Sequence, residues 1–301
     1  MLRIFILLIA ITITSCNSPI KHPANSVNKS NEKVIAPKEN TVHDLPEELN
    51  EISGITFLND SVLVAIQDEE GILYYYNLFQ NRIIKKQSFA HNDDYEDLVK
   101  AGNDMYVISS KGLVIQIKDF ESSKPVVNSF KTPFTAKNDI EGLAYDPKKN
   151  RLLIAPKEHG LNKDEESKQI YAFDLNTMIF QSAPLYTIRL AQIESQFEGD
   201  ALEESSKKFL KALGNKNMNK VFRTSALTIN AKTGETYLLS DINGLILILT
   251  PEGTLKKLLQ FSGPEYKQPE GIAFSPNGKL YISNEGKKSG IGNIIELIHE
   301  N

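Results

Sequence analysis

The chain has 301 residues, with 34 Lys and Arg against 38 Asp and Glu, a net charge of −4, and 41 % hydrophobic residues. That balance excludes the positive field that draws a protein to nucleic acid, and no basic run or aromatic stacking series takes its place. One cysteine, Cys16, forms no intramolecular disulfide, and with no thiol after it cysteine catalysis is excluded as well.

Residues 1–15, MLRIFILLIAITITS, place one Arg before an apolar run that is too short to span a bilayer. Charge followed by a short hydrophobic run is the order of a secretory signal peptide. Its end, Ile13-Thr14-Ser15-Cys16, resembles the lipobox of bacterial lipoproteins. The resemblance implies lipid on Cys16, an exported protein and a membrane anchor, with the outer membrane as the expected destination. Residues 16–45 are rich in Asn, Ser, Lys and Pro without a period that buries a face, and read as a flexible, lipid-anchored linker.

From residue 46 to 301 one phrase recurs: EISGITF from Glu51, YEDLVKA from Tyr95, IEGLAYD from Ile140, TSALTIN from Thr224 and PEGIAFS from Pro269. Each is followed by a second apolar strand, from Val62, Met105, Arg151, Thr236 and Leu280, and soon by a third. LND, GND, DPKKN, AKTGE and SPNGK punctuate the first turn of each unit. The units therefore read as short antiparallel meanders. Ser53, Glu96, Glu141, Ser225 and Glu270 mark them at intervals of 43, 45, 84 and 45 residues. A four-stranded propeller blade takes about 40–45 residues, so the chain predicts an all-β, five-bladed β-propeller; the long interval leaves six blades as the alternative.

That long interval holds PLYTIRL, a fourth strand, and then Asp200 to Leu213, whose apolar spacing and terminal Gly214 predict a short helical insertion. Glu198-Gly199 imitates the repeat but stands too close to Ser225 for a blade. The last unit ends after three strands, which leaves an open edge. Residues from about Lys33 to Thr41 are expected to close it.

Residues that open the first strand of each blade converge on the propeller axis. Here they are Ser53, Glu96, Glu141, Ser225 and Glu270. Three carboxylates held close repel one another unless a proton or a cation intervenes. Hard oxygens in a ring suit calcium, which takes six to eight of them in loose geometry. A second set falls 15 or 16 residues after the marks, at Asp68, Lys111, Lys157, Asp241 and Glu285, with Glu158 beside it; it should rim one channel mouth and hold a ligand. The rival to a metal is an ionic channel in which Lys111 and Lys157 reach the glutamates.

The segments LPEELNEISGI, YEDLV, DIEGLAYDPKKNRLLIAPKE and QPEGIAFSPNGKLYISNEG resemble the SdiA-regulated, YjiK-like family of membrane-associated propellers, over roughly residues 45–298. This implies a propeller without a settled activity. The order Ser, Glu, Glu, Ser, Glu is also similar to the central site of the calcium-activated nucleotidases, which are five-bladed; it implies Ser53, Glu96, Glu141, Ser225 and Glu270 as calcium ligands. The arginines those enzymes use on phosphates have no match, since Arg82, Arg151, Arg189 and Arg223 are the only ones after the leader.

Two functions follow. One is a calcium-binding, membrane-tethered module that holds a small ligand or an envelope protein. The other is a calcium-dependent hydrolase of phosphate esters or lactones, with Asp68, Glu158 or Glu285 as base. His22, His43, His91, His159 and His299 show no zinc spacing, and there is neither a P-loop nor a G-x-S-x-G elbow.

Overall fold

The computed structural model describes residues 41–197, 211–214, 216–286 and 290–298. The chain enters on β1 (Thr41–Asp44) and then builds sheets in order: β2 (Ile52–Phe57), β3 (Val62–Gln67), β4 (Ile72–Asn77) and β5 (Arg82–Ser88) form blade 1. Blade 2 is β6 (Tyr95–Ala101), β7 (Asp104–Ser109), β8 (Leu113–Lys118) and β9 (Val126–Lys131). Blade 3 is β10 (Ile140–Asp146), β11 (Arg151–Pro156), β12 (Ser167–Asp174) and β13 (Ile179–Arg189). Blade 4 follows as β14 (Thr224–Ile229), β15 (Thr236–Ser240), β16 (Leu245–Leu249) and β17 (Leu255–Gln260). Blade 5 has β18 (Pro269–Phe274), β19 (Leu280–Asn284) and β20 (Asn293–Leu297), with β1 as its outer strand.

The five repeat phrases are thus the first strands. β2, β6, β10, β14 and β18 each touch the next, and β18 returns to β2, which closes a ring of five blades. The six-blade alternative is excluded: PLYTIR of PLYTIRL is the second half of β13, and the long interval after it holds a short helix, Leu190–Glu194, and another, Met218–Val221. Of the expected helix from Asp200 to Leu213, residues 211–213 are helical, and residues 200–210 lie outside the described residues, as do Glu198 and Gly199.

Closure comes from the end of the segment read as linker. β1 pairs antiparallel with β20, Val42 opposite Ile295 and His43 opposite Ile294. Residues 33–40, in which the closing strand was expected to begin, lie outside the described residues, as do the leader and Cys16. Pairing covers the open edge of β20, whose free N–H and C=O groups would otherwise recruit another chain.

Inner strands read as apolar runs because blades stack face to face and bury both sides of each sheet. β2 and β16 are buried along their whole length, whereas the outer strand β9 is mostly exposed. The result is five separate apolar clusters, one for each blade interface. Tyr74 and Tyr76 pack toward blade 5 with Ala273 and Ile294, while Tyr75 on the opposite face joins Val107 and Ile117 of blade 2. Truncating one such fully buried Leu or Ile to Ala costs about 2–5 kcal/mol. Among the described residues no helix is long and apolar enough to cross a membrane.

Candidate functional site

A β-bulge breaks the register at the start of every first strand. Ile140 faces Pro156 but Gly142 faces Ala155, which leaves Glu141 as the extra residue; the same slip falls at Glu96, Ser225 and Glu270, and across Ser53-Gly54. A bulge bends the strand and redirects the side chain it carries. The five marks therefore owe their common placement to a backbone irregularity repeated around the ring.

The residue after each mark is Gly54, Asp97, Gly142, Ala226 or Gly271. First strands approach so closely here that a Cβ on Gly271 would lie 2.6 Å from the Ser53 carbonyl oxygen, and one on Gly54 would lie 2.4 Å from Asp97 Oδ1. Asp97 fills the space that its small neighbours leave. Its carboxylate accepts the backbone N–H of Leu98 and of Leu143, both at 2.8 Å, and that of Leu227 as well. An acceptor shared by the first strands of blades 2, 3 and 4 lies in the channel they surround. Burial pushes its carboxyl well above the ordinary range, and those three N–H donors oppose the shift.

On the bulge side of Asp97 the channel is acidic. Glu96 and Glu141 come together with Asp139, each offering an oxygen within 4.8 Å of the others, and this is the group among the described residues that could hold a metal ion. Lys157 enters the same space: its Nζ donates to Glu141 Oε1 at 2.5 Å and stands 3.7 Å from Asp241 Oδ2. Burial raises Glu96 to about 9, with Asp94 adding to it, raises Glu141 well above the ordinary range against Lys157, and raises Glu270 to about 7, again against Lys157. Lys157 itself is depressed by burial, but the surrounding carboxylates, Glu141 first, outweigh this and hold the ammonium form.

The two serines of the ring are placed differently. Ser225 is buried and donates its hydroxyl to the Pro269 carbonyl at 2.7 Å, and Ser53 accepts Ser283 Oγ at its own carbonyl at 3.0 Å. Glu270 is grouped electrostatically with Lys157, Asp241 and Glu285, and hydrogen-bonds to Gln268. Of the five marks, then, Glu96 and Glu141 share one oxygen cluster.

The rim residues divide as well. Lys111 is exposed and pairs outward with Asp93 at 2.9 Å. The position equivalent to Asp68 in blade 2 is Ser110: Asp68 O accepts Tyr95 N and Ser110 O accepts Ile140 N, one blade on. Lys111 thus falls one residue beyond the ring that Asp68, Lys157, Asp241 and Glu285 share. Asp68 is raised to about 6 by burial and then by Glu51, Glu69 and Glu285, and its Oδ1 is buried without a hydrogen-bond partner among the described residues. Glu285 accepts from Gln268 Nε2. Glu158 accepts Asn219 Nδ2 at 2.8 Å and lies 3.4 Å from Arg223 Nη2.

Sequence reasoning missed Asp139, Arg223 and Lys168. The first two were within reach, because the residues two before each mark are Glu51, Asp94, Asp139, Arg223 and Gln268, a second polar ring immediately ahead of the first strands. Their carbonyls accept from the second strands' exits, as Asp139 O does from Lys157 N and Arg223 O from Asp241 N. Asp139 adopts a left-handed φ of 53°, a strain that a short polar side chain tolerates. Arg223 reaches Asp241 Oδ2 at 3.7 Å, and its Nε is buried without a partner among the described residues. Lys168 is 2 % exposed and pushed down to about 7 by burial; its Nζ donates to the carbonyls of Lys157 and Glu158 and to Asn219 Oδ1, which fixes the segment that carries Lys157.

No curated protein matches the chain. Among solved structures it is similar to a luciferin-regenerating enzyme, at 13 % identity over 87 % of this chain and 96 % of that one, with a TM-score of 0.47. A glutaminyl cyclase of Myxococcus xanthus has 12 % identity over 87 % of this chain and 100 % of its own, with a TM-score of 0.49. The model of the SdiA-regulated family matches residues 38–287, a span that holds all five first strands, and the chain belongs to the SdiA-regulated family.

Proposed function

We propose that this is an exported, lipid-tethered propeller that holds calcium at its acidic mouth and uses that mouth to bind a small ligand or an envelope protein. The observation that carries the reading is the meeting of Glu96, Asp139 and Glu141 within 4.8 Å. The donor set is all carboxylate oxygen, with no nitrogen or sulfur, which fits a hard cation. Lys157 engages one oxygen of Glu141, and Glu96 shares a hydrogen bond with Asp94 that an ion would compete with. Waters and oxygens of a ligand would complete the six to eight that calcium takes. Support for the tether is the order of Arg3, the apolar run and Cys16.

Thermal denaturation tests the reading. Calcium should raise the midpoint of the chelator-treated chain more than magnesium does, because an ion that binds only the folded state stabilises it by mass action. Equal midpoints with calcium and with chelator count against it.

A second reading, hydrolysis of a phosphate ester or lactone with calcium as Lewis acid, is favoured by Arg223. Its partnerless Nε and long contacts to Glu158 and Asp241 suit an anionic group brought to the mouth. Asp68, Glu158 and Glu285 are the candidate bases. Incubation with phosphomonoesters, nucleotides and lactones in calcium tests it, and an inert result from pH 5 to 9 removes it.

A further inference from the structure

The first strands run away from the acidic mouth, and past Asp97 their far ends open into a second cavity of about 230 Å3. All five blades line it at equivalent positions, four residues after each mark: Phe57, Lys100, Tyr145, Ile229 and Phe274. Its other walls come from the turn after β14, with Lys232, and the turn Ser275–Gly278 after β18.

The lining contains two lysines and no carboxylate. Lys100 is half-buried and its ammonium has no ion-pair partner among the described residues. Lys232 Nζ is held at the cavity edge by the Asn277 carbonyl at 3.1 Å. Acids nearby are already engaged: Asp146 by Arg151 at 2.9 Å, Glu235 by Lys256 at 2.6 Å, and Asp60 by the Asn277 N–H at 2.9 Å. Three polar side chains of the lining are committed too. Tyr145 donates to Asn150 Oδ1, Asn230 Oδ1 accepts the Lys232 N–H, and Ser275 bonds within its own turn. Beside them the lining offers apolar side chains from all five blades and two ammonium groups.

We infer that this second mouth is a binding site for a small organic anion with an apolar body, such as a medium-chain aliphatic carboxylate. An apolar body buries against Phe57, Ile229 and Phe274 while its charge faces Lys100 and Lys232. The volume equals that of about seven or eight waters, room for a guest of about ten non-hydrogen atoms. Opposite mouths of one channel thus carry opposite charge, with Asp97 and its three hydrogen bonds between them. The site is independent of any ion at the acidic mouth.

Isothermal titration of the full chain with octanoate tests this. One saturable site is expected, unchanged by chelator. Lys100→Gln combined with Lys232→Gln should weaken octanoate at least tenfold and leave octan-1-ol unchanged. Ala231→Trp, at an exposed lining position, should abolish binding of both. Absence of saturable octanoate binding overturns the inference, as does binding that survives Ala231→Trp or ignores both lysine substitutions.

Discussion

Lys157 Nζ donates to Glu141 Oε1 at 2.5 Å inside the channel, an ammonium one residue past the second strand of blade 3 meeting the bulged carboxylate of the first. It is the cation around which Glu141, Glu270 and Asp241 are grouped. Lys157→Met should destabilise the fold by about 3–5 kcal/mol at pH 8, since it orphans buried carboxylates. Urea denaturation measures the loss. It should shrink at pH 5, where those carboxyls take up protons, and an equal loss at both values would show that the lysine acts through packing alone.

Asp97 is a structural acid. Replacing it with Ala leaves the N–H groups of Leu98, Leu143 and Leu227 without an acceptor, and at about 1–3 kcal/mol for each buried orphan the variant should lose at least about 3 kcal/mol. Asp97→Asn keeps one acceptor oxygen and should lose less. Denaturant midpoints of the two variants check the order.

Asp68 gives a pH signature. Its folded value of about 6 exceeds the ordinary 3.8, so between those values the native chain holds a proton that the unfolded chain has released. Stability from this group therefore falls as pH rises from about 4 to 6. Compared with wild type, Asp68→Asn should be about equal below pH 4 and more stable above pH 6, by roughly 1 kcal/mol after allowance for its partial exposure. A difference that is constant with pH contradicts the assignment.

The closing strand predicts a sharp length dependence. Removing residues up to 44 deletes β1 and exposes the edge of β20, which removal up to 40 leaves paired. The shorter chain should melt earlier and form larger species in size-exclusion chromatography. Identical behaviour of the two truncations would mean that β1 contributes nothing to closure.

Blade number was legible because both faces of the inner strands are buried, which makes a repeating apolar phrase unavoidable and spaces its polar openings by one blade. Convergence of Glu96 and Glu141 followed from the same repeat. What stayed hidden depended on single-residue offsets. Spacing alone placed Lys111 beside Lys157, yet blade 2 aligns Ser110 there and turns Lys111 toward Asp93. Rotamers were equally invisible: Ser225 matches the glutamates in position, but its short hydroxyl bonds to Pro269 O. Asp97 looked like one more acid in YEDLV because nothing in that phrase reveals that its neighbours around the ring are Gly and Ala. Asp139 precedes its strand, where a search for strand openings does not look.

Calcium titration of the chelator-treated full chain, alongside the Glu96→Gln, Asp139→Asn double variant, addresses the central claim most directly. Wild type should take up one calcium ion with a saturable heat, and the double variant, which keeps Glu141 and its pair with Lys157, should take up none. No saturable calcium binding by wild type, or undiminished binding by the variant, would contradict a cation site built from Glu96, Asp139 and Glu141 and leave the Lys157 ion pairs as the whole of the channel's chemistry.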